Sequence, residues 1–131
     1  DLVRQLFRAA AYHDVGRTFD GYDLDHGARS AQRLEELTGQ TGEALAELQA
    51  AVTAHALPDA RLEETVHAFH PADFDRAVEL TRLLKDADNL DRVRLGDLKV
   101  KFLRHESAKN LADFALRLLA RDQLWKERGK E

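Results

Sequence analysis

The chain contains no cysteine. That absence excludes disulfide frameworks, thiolate zinc sites and thiol catalysis. It contains no methionine either, position 1 included, and it opens at Asp1 directly into a helical pattern. The sequence is therefore expected to be an excerpt of a longer protein. No apolar run approaches the ~20 residues of a membrane span, and no signal-peptide pattern is visible, so a soluble, cytoplasmic protein is expected. An excess of positive charge is also missing: 20 Lys and Arg stand against 24 Asp and Glu, a net charge of -4. Generic nucleic-acid binders are normally basic, so bulk charge argues against that class of partner. Strand patterning is nearly absent, with little Val and Ile alternation, and only 2 prolines interrupt the chain.

What remains is rich in Ala, Leu, Glu, Arg and Asp, mostly good helix formers. With 44% hydrophobic residues in 131, the chain is long enough to close a core as one domain. The expected fold is all-α, a compact bundle of five or six helices. The first is expected over Leu2–His13 and the second from Asp25 to a glycine cap at Gly39. The third runs from Thr41 to Ala56 before Pro58, and a short fourth from Asp59 to Phe69. The fifth is expected from Pro71, a favoured first-turn residue, to Arg94, and the sixth from Glu106 to Trp125. The one long connection, Val15–Leu24, is rich in Gly and Asp. The charged tail from Lys126 to Glu131 is expected to fray.

Polar residues end the apolar stripes of three helices. Val3, Phe7 and Ala10 lead to Asp14, while Leu2, Leu6 and Ala9 lead to His13. Leu45, Leu48 and Val52 lead to His55, and Leu80, Leu83, Leu84 and Ala87 share a face with Asp88. An ionised carboxylate buried without a partner costs several kcal/mol, and neighbouring carboxylates repel unless a cation joins them. A divalent ion bound by imidazole and carboxylate resolves both problems. For each residue alone, pointing to solvent at a helix end is the simpler reading. The adjacent pair His13-Asp14 beside a glycine-rich loop gives the set its weight.

These residues resemble a known pattern. Tyr12-His13-Asp14-Val15-Gly16-Arg17 resembles the His-Asp signature of the HD-domain metal-dependent phosphohydrolase superfamily. Asp25-His26-Gly27-Ala28-Arg29-Ser30-Ala31 is similar to its His-Gly segment, and Val52-Thr53-Ala54-His55 to a later helix ending in His. Ala87-Asp88-Asn89-Leu90-Asp91 resembles its closing Asp segment. The four segments occur in family order between His13 and Arg92. The resemblance implies an HD-type helical domain with a metal between helices. It maps metal ligands onto His13, Asp14 and Asp88, with His26 and His55 added for a second ion. The family's first His ligand lies on an upstream helix, which would precede Asp1.

The implied activity is hydrolysis of a phosphoester of a nucleotide or related phosphorylated small molecule by metal-activated water. One or two divalent ions (Mn, Fe, Co, Ni, Zn or Mg) are the expected cofactor. Asp14 is the expected catalytic group, binding metal and orienting the water. Arg17, Arg29, Lys85 and Arg92 are the cations expected to meet substrate phosphate, Arg17 first. For Arg92 an ion pair with Asp88 or Asp91 is the rival role, and for Arg29 an exposed side chain. Phe19 and Tyr22, on the long loop, could stack on an organic group. His67, His70 and His105 read as helix-face or connector residues. Leu111, Phe114, Leu118, Leu124 and Trp125 are expected to cover the bundle. Two other readings remain: a degenerate module binding a nucleotide or a partner without catalysis, and a di-iron oxygenase on the same fold.

Overall fold

The computed structural model describes residues 1–129. Among them every regular element is helical. Eight α-helices appear: α1 (Leu2–Tyr12), α2 (His26–Gln32), α3 (Leu34–Thr38), α4 (Gly42–His55), α5 (Leu62–Ala68), α6 (Phe74–Leu90), α7 (Glu106–Asn110) and α8 (Ala112–Arg128). Short 3-10 turns occupy Asp59–Arg61, Asp91–Leu95 and Val100–Phe102. No helix among the described residues is long and apolar enough to cross a membrane.

The higher count has local causes. The expected second helix breaks at Arg33, whose φ of -95° and ψ of -6° interrupt the hydrogen-bond ladder between α2 and α3. Gly39 then ends α3 in the left-handed conformation, as its sequence position predicts. The expected fifth helix does not start at Pro71. It starts at Phe74, because the Asp73 carboxylate accepts the Arg76 amide at 3.0 Å and caps the first turn. It closes at Gly96, also left-handed, after a 3-10 turn. The last expected helix splits at Leu111, and α8 continues to Arg128 rather than fraying after Trp125. The remainder of the predicted tail, Lys130 and Glu131, lies outside the described residues.

The chain divides into two compact units, Asp1–Lys85 and the residues from Asp86 onward. In the first unit, Ala9, Ala31, Leu34, Leu48, Val52 and Leu84 form one buried cluster, with Leu6, Tyr12 and Leu45 packed against it. Ala50, Ala54, Leu62, Val66, Ala77 and Val78 form another. The α4 stripe therefore faces the core as expected. So does the α1 stripe of Leu2, Leu6 and Ala9, although both leucines are only partly covered. The neighbouring stripe does not: Val3, Phe7 and Ala10 are exposed. The buried polar residue of α1 is Gln5 instead. Its Nε2 donates to the Ala44 carbonyl at 2.9 Å and to Glu47, and Glu47 pairs with Arg76 at 2.8 Å. This polar bridge ties α1, α4 and α6 together. On α6, Leu80 and Leu84 are buried while Ala87 is exposed.

In the second unit, Leu103, Ala108 and Ala112 are buried. Leu111, Phe114, Leu118, Leu124 and Trp125, expected to cover a bundle, are all exposed. The apolar residues of α8 do not share one face. Leu116 and Leu118, for example, lie about 200° apart at 100° per residue. The unit is organised by Asp86, whose buried carboxylate accepts the backbone amides of Arg104 and His105, each at 2.9 Å, and the His105 ring at 2.6 Å.

Candidate metal centre

Two close approaches of backbone assemble the site. α2 lies against α4 where Gly27 has no side chain; a Cβ there would stand 2.6 Å from the Val52 carbonyl oxygen and 2.8 Å from that of Thr53. His26 immediately precedes this contact and His55 follows it by one turn. The loop after α1 meets α2 in the same way. Gly16 donates its amide to Ser30 Oγ at 2.8 Å, and a Cβ on Gly16 would lie 2.4 Å from the Ser30 nitrogen. Each glycine therefore sits next to, or two residues beyond, a candidate ligand and sets how closely its segment docks.

Asp14 does not arrive at the site by continuing a buried stripe. α1 ends at Tyr12, and turns in which Val15 bonds to the Tyr12 carbonyl and Arg17 to that of Asp14 carry the chain off the helix axis. The turn, not the Val3–Phe7–Ala10 face, places the carboxylate.

There the polar groups converge. Asp14 Oδ1 lies 3.2 Å from His26 Nε2 and 3.8 Å from His55 Nε2, and Asp14 Oδ2 lies 3.2 Å from His13 Nε2. The His26 and His55 Nε2 atoms are 3.0 Å apart. In all three imidazoles the other ring nitrogen faces a backbone carbonyl. His13 Nδ1 meets Ala10 O at 2.8 Å, His26 Nδ1 meets Asp23 O at 2.6 Å, and His55 Nδ1 meets Val52 O. A carbonyl only accepts, so each Nδ1 is the donor there, and each Nε2 is left facing the Asp14 carboxylate. These carbonyls thus orient three Nε2 atoms toward one carboxylate, an arrangement typical of metal-ligating histidines.

Such a set places a carboxylate among imidazole nitrogens and suits a cation: the Arg17 guanidinium lies beside it, and protons on the rings or a bound metal ion would serve in the same way. The Asp14 carboxyl is held far below the usual carboxylate range by its bond to His13 and then by that to His55, against the opposing effect of burial. Burial pushes the His26 imidazole down, favouring its neutral, ligating form. Asp14, His26 and His55 offer ligand atoms within 4.8 Å of one another, close enough to share one ion. The donor set is nitrogen and carboxylate without thiolate, which suits first-row divalent ions. The ring of His55 is buried and that of His26 nearly so, while the Asp14 side chain is 47% exposed.

The expected phosphate-binding cations occupy different places. Arg17 stands at the cluster, with Nη2 3.3 Å from each His26 ring nitrogen, Nε 3.8 Å from Asp14 Oδ1, and Nη1 2.9 Å from the Gly21 carbonyl. Arg29 bonds to the Gly16 carbonyl at 2.9 Å and to the Asp23 carboxylate. Lys85 is buried, bonded to the Leu57 carbonyl and paired with Asp59 at 2.7 Å. In the second unit, Arg92 pairs with Asp97 through Nε at 3.0 Å rather than with Asp91, which instead pairs with Arg94. Asp88, also of the second unit, lies partly buried near the end of α6 and contributes to holding Arg92 charged, after Asp97.

Phe19 and Tyr22 are exposed on the loop. His67 stacks on Phe74 with ring centroids 3.9 Å apart, and His70 takes a positive φ of 50° in its connector. Sequence reasoning missed the carbonyl of Asp23 as the partner of His26 and the load on Asp86. Backbone acceptors leave no trace in residue type; the Asp86 partners lie in a connector without periodicity. No protein-family model, curated protein or solved structure matches this chain.

Proposed function

We propose that the protein is a metal-dependent phosphohydrolase of HD-domain type, acting on a phosphoester of a nucleotide or related phosphorylated small molecule. The observation that carries this reading is the convergence of three imidazole Nε2 atoms on the Asp14 carboxylate. His13, Asp14, His26 and His55 would hold the divalent ion. When bound, such an ion acidifies a water and offsets charge on phosphoryl oxygens.

The chain's own groups supply the rest. Asp14 is exposed enough to reach an incoming group and acidic enough to stay ionised, so it serves as ligand and as an acceptor that orients water. Arg17 presents a guanidinium beside the same carboxylate and is suited to a phosphoryl oxygen. Arg29, Lys85 and Arg92, spent on internal partners, act as structural cations. The order of the sequence motifs supports the HD-type assignment, and that resemblance alone names Asp88 among the ligands.

A three-imidazole set also suits iron, which favours a di-iron oxygenase as the second reading. The test is to load purified protein with Mn, Fe, Co, Ni, Zn or Mg, quantify bound metal, and assay phosphate release from nucleotides and oxygen uptake in parallel. About one or two metal equivalents and phosphate release are expected, both lost in Asp14→Asn. Asp88→Ala in the same assay tests its inclusion in the set. Bound iron with oxygen uptake and no phosphate release selects the oxygenase. Failure to take up any metal overturns both readings.

A further inference from the structure

We propose that Arg29 is a positioning residue that fixes the ring of His26, rather than a substrate-binding cation. The inference rests on reading the His-Asp cluster as a metal centre. Arg29 Nε donates to the Gly16 carbonyl at 2.9 Å, and its Nη2 donates to Asp23 Oδ2. Gly16 lies two residues beyond Asp14, so this end holds the turn that delivers the carboxylate. Asp23 lies three residues before His26, and its backbone carbonyl receives the His26 Nδ1 proton at 2.6 Å. Asp23 Oδ1 also accepts the Asp25 amide at 3.0 Å, which closes the approach to α2.

One guanidinium thus spans both chain segments that bring ligands from opposite ends of the long loop. The Asp23 side chain is 7% exposed and that of Arg29 39%, so the carboxylate end of the pairing is the sheltered one. Without Arg29 the carbonyl of Asp23 has no fixed position relative to Gly16. The His26 ring then keeps the Arg17 contact but is freer to turn or to exchange its proton to Nε2, where it would block ligation. His55 is an internal control. Its Nδ1 is held by Val52, within its own helix α4, and does not depend on Arg29.

The test reads the imidazole tautomers directly by nitrogen NMR of ring-labelled, metal-free protein at about pH 8, where imidazoles are neutral. In the unsubstituted protein both His26 and His55 are expected as the Nδ1–H form. Arg29→Met is expected to shift His26 toward the Nε2–H form and leave His55 unchanged, with Arg29→Lys restoring part of the signal. Asp23→Asn is expected to reproduce the Met effect and provides the measurement should Arg29→Met fail to fold. In a metal titration of the same proteins with Co or Zn, affinity should fall about 10- to 100-fold in Arg29→Met, as for loss of an orienting partner. The double variant should be no worse than either single.

An unchanged His26 tautomer in Arg29→Met or in Asp23→Asn overturns the proposal. So does a shift of His26 and His55 together, which would indicate general loosening. If the unsubstituted protein takes up no metal, the metal reading fails, and the tautomer result still decides the role of Arg29.

Discussion

The Nε2 atoms of His26 and His55 stand 3.0 Å apart, each ring having given its other nitrogen to a backbone carbonyl. A divalent ion bound between them would take both as ligands, a pairing that exists only in the folded chain. Metal should therefore raise thermal stability, by about 2.7 kcal/mol at a hundredfold excess over Kd, and a chelator should reverse the gain. Differential scanning calorimetry with and without each ion checks this. A melting temperature indifferent to every first-row divalent ion would contradict the site.

The same pair sets a pH dependence. Burial lowers the His26 pKa, so below about pH 6.5 the unfolded chain binds a proton that the native ring resists. Stability of the metal-free protein should hold above that value and decline as the pH falls through the folded pKa. Metal affinity should fall in the same direction, since protons and metal compete for Nε2. Denaturation midpoints from pH 8 to pH 5, compared with His26→Gln, would show the slope shrinking in the variant.

Gly27→Ala should be far more damaging than Gly39→Ala. A methyl at 27 meets two backbone carbonyls of α4 inside 3.0 Å, which cannot move aside as a side-chain tip can. At 39 the added Cβ meets nothing within 4 Å and carries only the cost of φ +69°, about 1 kcal/mol. The helix separation forced at 27 should also abolish the His26–His55 approach, so metal uptake is lost in that variant and kept in Gly39→Ala. Urea titrations and a metal-binding assay on the two proteins test the contrast.

Asp86 should govern the acid limb of the second unit. Burial pushes its carboxyl up, but the amides and side chains of Arg104 and His105 outweigh burial and hold it below the usual range. Its contribution is present above the ordinary carboxylate pKa of 3.8 and is lost as the pH falls through the folded value. Asp86→Asn should cost about 1–3 kcal/mol at neutral pH through poorly matched donors, and should flatten the acid-induced loss of α7 helicity followed by hydrogen exchange.

Thr53→Val should be neutral or mildly stabilising. Thr53 Oγ1 is buried without a hydrogen-bond partner, so removing the hydroxyl removes a desolvation penalty of about 1–3 kcal/mol. A clear drop in the denaturation midpoint would reveal that the hydroxyl has a role.

The helical class and four residues of the cluster were legible because they depend on local patterns. Leu45, Leu48, Val52 and His55 repeat at helical spacing, and the His-Asp and His-Gly dipeptides mark segment ends. What escaped the sequence depends on tertiary neighbours. Val3 and Phe7 are as apolar as Leu2 and Leu6, and the stripe that turns inward is the one on which Gln5 docks on Ala44 and Glu47 and Ala9 meets the core. Arg29 and Lys85 read as cations for a phosphate, because residue type does not disclose that Asp23 and Asp59 already hold them. The glycines at 16 and 27 were visible as motif letters, but the reason for them is a steric limit set by Ser30 and Val52.

The half-exposed side chain of Asp14, set against the buried rings of His26 and His55, gives the centre a front and a back. Within the first unit the carboxylate is the part of the cluster that small solutes can reach, beside Arg17, while the rings carried by α2 and α4 are the covered part. A reagent added in solution should therefore meet Asp14 before it meets either of those rings.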